Sequence, residues 1–317
     1  MEYLIKKTYE LSEAEKQAIA ALHLRVFNRE LPLAEFNRKF GLANKGYSYH
    51  GLILDNGVII GNYAAIPYRY QYFGQPLIFA LAVDGMIDER YRDFHSYSKV
   101  ANLVYESLKN DQIPFIYCFP NEQAYLYTKR ILKWKDVGEL GYFIQPLRPG
   151  ALKKVLGLFN WLFLGGSWLA NKIAGQMDLA GDKREYNIHK VIDDSFKKFR
   201  YDDTYITGKL DPSLSYVYRI YVENGVRVAY VIDVDPLNKV TIGRAIAEIS
   251  RRESKNIDLI LYIGKLEKVP KNLIRIPQSR EPKKVRMIGK ILLPDIVDEK
   301  VFDLNNWLVN IASFDIR

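Results

Sequence analysis

The stretch LIFALAVDGMIDERYRDFHSYSKVANLVYESLKNDQIPFIYCFPNEQAYLYTKRILKW, residues 77–134, decides how the chain is read. It parses as a strand (77–88), a polar loop (89–96), a helix (97–109), a second strand (114–119) and a further helix. Pro120-Asn121 opens that last helix, which ends near Leu132-Lys133-Trp134. Tyr97, Val100, Val104 and Leu108 recur at helical spacing, which predicts one packed face and one wet face. A strand, loop, helix and strand of this length form a βαβ crossover, and ligands of such sheets bind at the loop after the first strand. An active site is expected there.

Upstream, a short strand (3–8) leads to a helix begun by Ser12. Ser12 with Glu15 forms a capping box, and Ile19, Leu22 and Val26 give the buried stripe. A second short helix is expected over 33–40 and a strand over 46–54. Asn56-Gly57 is a two-residue hairpin signal into a strand at 58–69, and Phe73-Gly74-Gln75-Pro76 turns the chain into the opening strand. Downstream, 137–144 is another strand. The order is β-α-α-β-β-β-α-β-α-β.

A chain of 317 residues with 48% apolar and 26% charged side chains is globular, and long enough for two domains with a core each. Its 23 tyrosines suit sheet-rich domains. The single cysteine, Cys118, lies in an apolar strand, so there is no disulfide framework and no thiolate metal site, and a buried inert thiol is expected. The N-terminus shows no signal-peptide pattern, which places the protein in the cytoplasm. The net charge of +9 is uneven: residues 151–317 hold 28 Lys/Arg against 21 Asp/Glu. The densest run lies between Lys265 and Lys290 and includes Lys268, Lys271, Arg275, Arg280, Lys283, Lys284 and Arg286. No aromatic interleaves it and no nucleic-acid motif accompanies it, so it reads as a solvated face and no nucleic-acid partner is expected.

The element order, with the residues it carries, resembles the GNAT superfamily of acyl-CoA-dependent N-acyltransferases over roughly residues 1–145. Asn56-Gly57-Val58-Ile59-Ile60-Gly61 is similar to the family's hairpin, and Val83–Arg92 to its fourth strand and the approach to the cofactor loop. Phe115-Ile116-Tyr117-Cys118-Phe119-Pro120-Asn121, followed by Leu132-Lys133-Trp134-Lys135, resembles a segment of its tandem-domain members. The resemblance implies an acyl-CoA co-substrate, such as acetyl-CoA, and a small amine acceptor, an amino sugar or amino-acid derivative. It also implies a cofactor site at Met86, Ile87, the loop Arg92, Asp93, Phe94, His95, Ser96 and Tyr97, and Asn121.

The loop departs from the family pattern. A diphosphate binds there on backbone N–H groups at a helix N-terminus, and glycines let the backbone approach it. In the six residues Arg92–Tyr97 the two glycine positions carry His95 and Tyr97. Asp93 adds negative charge, and Ser96 is a good N-cap that takes an amide for itself. Either CoA binds in an altered way, weakly, or the loop no longer binds it.

Residues 155–171 carry no charge and hold Trp161 and Trp168. At this length, with two Asn and three Gly, the stretch is marginal for a membrane span. Packed as an apolar helical linker (151–181), it should bury Leu156, Phe159, Trp161, Leu162 and Trp168. Because Lys153, Lys154 and Lys172 flank it, the other reading is an interfacial helix making peripheral membrane contact. Beyond it, Ile188, Val191, Ile192, Phe196 and Phe199 read as a helical stripe. Strands at 216–223 and 226–233 around Asn224-Gly225, a helix (242–252) and strands at 257–263 and 284–293 repeat the devices of the first half. The expectation is an α/β (α+β) chain of two tandem GNAT-like domains, 1–150 and 182–317. Each is a mixed, largely antiparallel sheet flanked by helices, and the second, diverged copy lacks a glycine-rich loop and a cofactor.

Chemistry is sparse elsewhere. The four histidines show no metal spacing, so no metal is expected, and His23 and His189 read as surface or boundary residues. There is no catalytic-triad, P-loop or dinucleotide signature. Acyl transfer from a thioester to an amine needs a backbone N–H on the carbonyl, a base for the amine proton and an acid for the thiolate. Asp84 is the candidate base, since Asp84-Gly85 interrupts an apolar strand where a bulge would aim a carboxylate; an Asp that merely caps the bulge or pairs with a nearby cation is the alternative. Tyr127 is the candidate acid, although its spacing to Trp134 aligns Lys129 instead. Two functions stay open: an acyl-CoA-dependent N-acyltransferase, and a non-catalytic GNAT-like binding module.

Overall fold

The computed structural model describes residues 1–41, 46–151, 160–175, 186–211 and 214–314. The first elements are β1 (Glu2–Lys7), α1 (Glu13–Phe27), α2 (Leu33–Phe36), β2 (Tyr49–Asp55), β3 (Val58–Tyr72) and β4 (Gln75–Ile87). Then come α3 (Phe94–Asn110), β5 (Phe115–Cys118), α4 (Glu122–Arg130), β6 (Lys135–Pro146) and α5 (Asn160–Gly175). The chain continues through β7 (Ile188–Lys190), α6 (Asp194–Arg200), β8 (Ile206–Asp211), β9 (Leu214–Glu223), β10 (Val226–Asp235) and α7 (Lys239–Glu253). It closes with β11 (Leu259–Gly264), β12 (Ile274–Arg275), β13 (Val285–Ile291) and β14 (Trp307–Leu308).

Local signals explain most of these. Ser12 Oγ accepts the Glu15 amide while Glu15 accepts that of Ser12, so α1 starts where its capping box puts it. Asn56 and Gly57 both take positive φ, as the two-residue hairpin between β2 and β3 requires. On α3, Val100, Val104 and Leu108 are buried beside Tyr49, Ile53, Ile60 and Ile116 of the sheet. Ile188–Lys190 is not helical. It forms β7, because Ile188 and Lys190 pair with Tyr72 and Tyr70 at the far end of β3, and α6 starts only after the Asp193 cap.

The chain divides into two compact units that interleave along the sequence. One comprises Met1–Gly138, Tyr186–Tyr201 and Arg286–Leu308; the other comprises Glu139–Glu185, Asp202–Val285 and Val309–Arg317. The expected contiguous domains, 1–150 and 182–317, are corrected accordingly. The cause is long-range strand pairing. β13 runs antiparallel to β5, Ile288 opposite Cys118 and Ile291 opposite Phe115, and β14 runs parallel to β7. Both insert far-downstream chain into the first unit's sheet, whose order is β1-β2-β3-β4-β5-β13. Trp307, fully buried, packs there among Tyr70, Phe79, Phe115 and Tyr117.

In the second unit β8, β9 and β10 form an antiparallel meander, α7 crosses over, and β11 returns parallel to β10 with Val228 opposite Leu259. β2, β3, β4, α3 and β5 follow the same sequence of pairings in the first unit. In each, the strand before the crossover shifts register beside an aspartate, Asp84 in β4 and Asp233 in β10. Of the expected linker 151–181, only residue 151 and residues 160–175 are described. Its described helix, α5, belongs to the second unit and packs on α7.

Candidate functional site

β4 builds the site. Tyr63 of β3 faces two residues of β4, Asp84 and Gly85, because the register slips between Ala64–Val83 and Asn62–Met86. Asp84 takes the left-handed conformation (φ 48°) that a bulge of this kind demands. Its pairing with β5 ends at Leu81–Tyr117, whereas β4 runs on to Ile87. The two parallel strands therefore part company beside the bulge, at their C-terminal ends, where α/β crossovers take ligands.

Asp84 is not a free carboxylate. Both of its oxygens accept from Lys39 Nζ at 2.9 Å, and the two side chains are largely buried. Behind them Asn62 donates to the Asp84 carbonyl (3.2 Å) and meets the His50 ring at 3.4 Å, and the far nitrogen of His50 contacts Thr8 Oγ1 at 3.1 Å. Complete burial pulls His50 down to about 4, so the ring is neutral and part of the scaffold. This is the paired reading of Asp84, with Lys39 as partner. Lys39 has no flag in the sequence; Asn62 and His50 were detectable only as lone polar residues inside apolar strands.

Tyr97 fills the angle between the strands. A Cβ on Gly85 would stand 2.3 Å from the Tyr97 hydroxyl, so only glycine admits that phenol. Its ring meets Tyr63 and Tyr127 edge-on at 5.6 and 4.9 Å. Burial raises the Tyr97 phenol well above its usual range. Tyr127, half-buried, shares a hydrogen bond with Ser98 Oγ (2.9 Å), and burial raises its phenol also, which keeps it protonated at neutral pH. Tyr127 thus stands in this cluster, whereas Lys129 pairs with Asp136 on the surface.

The helix N-terminus is capped differently from expectation. Asp93, not Ser96, is the N-cap of α3: its Oδ1 accepts the Ser96 amide at 2.8 Å, and hydrogen bonding from the Ser96 side chain, then from this amide, holds the carboxyl below its usual range. The helix outbids the local preference of Ser96, whose buried hydroxyl bonds Tyr3 at 2.9 Å instead. Arg90 is committed to Asp88, which also takes Arg25. Arg92, Asp93 and His95 are exposed. Met86 and Ile87 are buried on the last rungs of the ladder to β3, opposite Asn62 and Gly61. Asn121 is exposed and caps α4, accepting the Ala124 amide at 2.9 Å. The structure therefore brings Tyr97 and Tyr127 together beside Gly85, holds the Asp84 carboxylate on Lys39, and leaves the Arg92–His95 loop with a carboxylate where a diphosphate would need open amides.

Among the described residues, no group of three or more His, Cys, Asp or Glu is arranged to hold a metal ion. No helix among them is long and apolar enough to cross a membrane. The basic side chains Lys268, Lys271, Arg275, Arg280, Lys283 and Lys284 are exposed, whereas Arg286 pairs with Glu122 and Lys290 donates to the Leu132 carbonyl.

No protein-family model matches the sequence, and no curated protein matches it. Solved structures do. A GCN5-related N-acetyltransferase from Anabaena variabilis is 14% identical, covering 91% of this chain and 73% of its own, with a TM-score of 0.59. A GCN5-related N-acetyltransferase from Kribbella flavida is 12% identical over 92% of this chain and 72% of its own, with a TM-score of 0.59. Eis1 from Mycobacterium abscessus is 11% identical over 92% of this chain and 74% of its own, with a TM-score of 0.56. At such identities the likeness is one of fold, and it spans nearly the whole chain: this protein has the fold of the GCN5-related N-acetyltransferases.

Proposed function

We propose that the chain is an N-acyltransferase that takes an acyl-CoA donor, such as acetyl-CoA, and a small amine acceptor of the amino-sugar or amino-acid kind. The observation that carries this reading is the bulge at Asp84-Gly85 beside the point where β4 and β5 stop pairing. A thioester arm laid in that angle has bulge amides on its carbonyl side and the Tyr127 phenol on its sulfur side. The amine adds to the carbonyl carbon, the C–N bond forms, the C–S bond breaks and the thiolate takes a proton. The Tyr127 phenol, protonated at neutral pH, supplies that proton, and its place beside Tyr97, not its raised pKa, suits it to the step. Asp84, held by Lys39, positions the bulge, and the proton lost by the amine passes to solvent.

The donor's two ends fare differently. The acyl end finds the strand angle once Tyr97 swings aside, whereas the diphosphate end meets Asp93 on the amides it would use. Donor binding is therefore weak and carried by the arm. The same two residues favour a second reading, a non-catalytic module that keeps the fold. Isothermal titration of the chain with acetyl-CoA, beside the Tyr97→Ala variant, tests the proposal. Weak binding that Tyr97→Ala tightens supports it, and no binding to either protein favours the module.

A further inference from the structure

α5 is an inside-out amphipathic helix. Its protein-facing side carries the polar groups: Asn171 Oδ1 accepts from Gln145 (2.8 Å) and Asn272 (2.9 Å), and Ser167 Oγ donates to the Pro146 carbonyl (3.2 Å), next to buried Ala174. Its open side carries Trp161 (69% exposed), Leu162, Trp168 (64%), Leu169 and Ile173. At 100° per residue these five, with Lys172, fall within one continuous arc. The burial expected of Trp161, Leu162 and Trp168 is thus corrected. The helix spends its polar residues on the core and leaves its apolar ones outside; Leu156 and Phe159 lie outside the described residues. Such a face is no accident of a lone exposed leucine.

We infer that α5 docks this protein on the surface of an anionic lipid bilayer. Charge selects that occupant. Between residues 149 and 177 the sequence holds Lys153, Lys154 and Lys172 and not one Asp or Glu. The Lys172 ammonium lies over the Trp168 ring at 5.5 Å, at the edge of the apolar arc. Tryptophan beside lysine on an otherwise apolar helix face is the chemistry of the headgroup boundary, where the ring keeps one edge wet and the cation meets lipid phosphate. A groove of about 740 Å³ opens along the same helix, with Leu164, Trp168 and Leu210 on its apolar part and Lys172, Arg244 and Arg251 among its cations; Asp211 and Glu248 also line it, the latter paired with Arg251. A second copy of the chain fits less well. A helix of 16 residues presents a strip about 24 Å long and about 10 Å wide, well short of the roughly 800 Å² per partner that stable interfaces bury.

The test uses the full chain and vesicles of phosphatidylcholine with or without about a third phosphatidylglycerol. Trp134 and Trp307 are buried, so a fluorescence change on vesicle addition reports Trp161 and Trp168. Expected are co-sedimentation and a blue shift with the anionic vesicles, falling at least tenfold in apparent affinity in Trp161→Ser/Trp168→Ser and severalfold in Lys172→Glu. Both variants change exposed side chains, so unchanged melting curves establish that they fold. No sedimentation with anionic vesicles overturns the inference. So does a concentration-dependent dimer that the tryptophan variant dissolves while the natural chain ignores lipid.

Discussion

Replacing Asp93 by glycine should strengthen acetyl-CoA binding while barely loosening the protein. Asp93 Oδ1 holds the Ser96 amide at 2.8 Å, and a diphosphate seated on the same helix end would put its charge about 4 Å from that carboxylate. Two like charges at that range repel by about 1 kcal/mol in water and about 4 kcal/mol at an effective dielectric of 20. Because Asp93 is exposed, the lower part of that range applies. A relief of ~1–2 kcal/mol is a gain in affinity of roughly five- to thirtyfold. On the stability side, glycine replaces an N-cap at a cost of a few tenths of a kcal/mol, and the lost charge at the helix N-terminus costs ~0.3–1 kcal/mol more. Asp93→Asn keeps the cap and removes the charge, so it should deliver most of the gain; the difference between the two variants is the share due to space. Isothermal titration measures both. If neither variant binds more tightly than the natural chain, while that chain itself binds at micromolar concentrations, Asp93 does not govern the loop and the reasoning fails.

Two further outcomes concern the frame around the site. Asp88 is held down to about 2, chiefly by the hydrogen bond from Arg90, with Arg25 adding to it. A depressed carboxylate stabilises the fold above its unfolded value near 3.8 and loses that contribution as pH falls through the folded one. Since the Arg90 side chain is mostly exposed, the contribution is discounted for screening to ~1 kcal/mol. Urea unfolding of Asp88→Asn should therefore show about that loss at pH 7 and almost none near pH 2, and an equal loss at both would contradict the assignment. Gly289→Ala tests the return of β13 to the first unit. The new Cβ would sit 2.2 Å from the Phe115 ring and 3.1 Å from the Ile116 carbonyl, so overpacking should cost ~1–3 kcal/mol. A neutral substitution would mean that β13 does not lie against β5 as described.

What the sequence disclosed was local. The capping box at Ser12, the Asn-Gly hairpins at 56 and 224 and the stripe Val100–Val104–Leu108 act over a few residues, and each stands where its chemistry puts it. The interleaving of the units was hidden, because nothing in Val285–Ile291 names β5, some 170 residues earlier, as its partner. The same holds for the site. The bulge at Asp84-Gly85 was legible from a polar pair in an apolar strand, but Lys39, which holds Asp84, comes from a short helical turn with no pattern of its own. Ser96 looked like the better cap, yet Asp93 stands three residues ahead of the amide it accepts, and the helix began earlier to use it. Burial of Trp161 and Trp168 failed for an instructive reason. Absence of charge predicts packing against protein, whereas α5 keeps its hydrogen-bonding side for the protein.

The claim that the strand angle performs acyl transfer is tested most directly by amine-dependent release of free thiol from acetyl-CoA, followed with a panel of amino sugars and amino-acid derivatives. The expected result is release by the natural chain above the rate without amine, faster in Asp93→Gly at subsaturating donor, and reduced at least tenfold in Tyr127→Phe. Absence of amine-dependent release from both the natural chain and Asp93→Gly at millimolar acetyl-CoA would contradict the claim and leave a binding module with an acyltransferase fold.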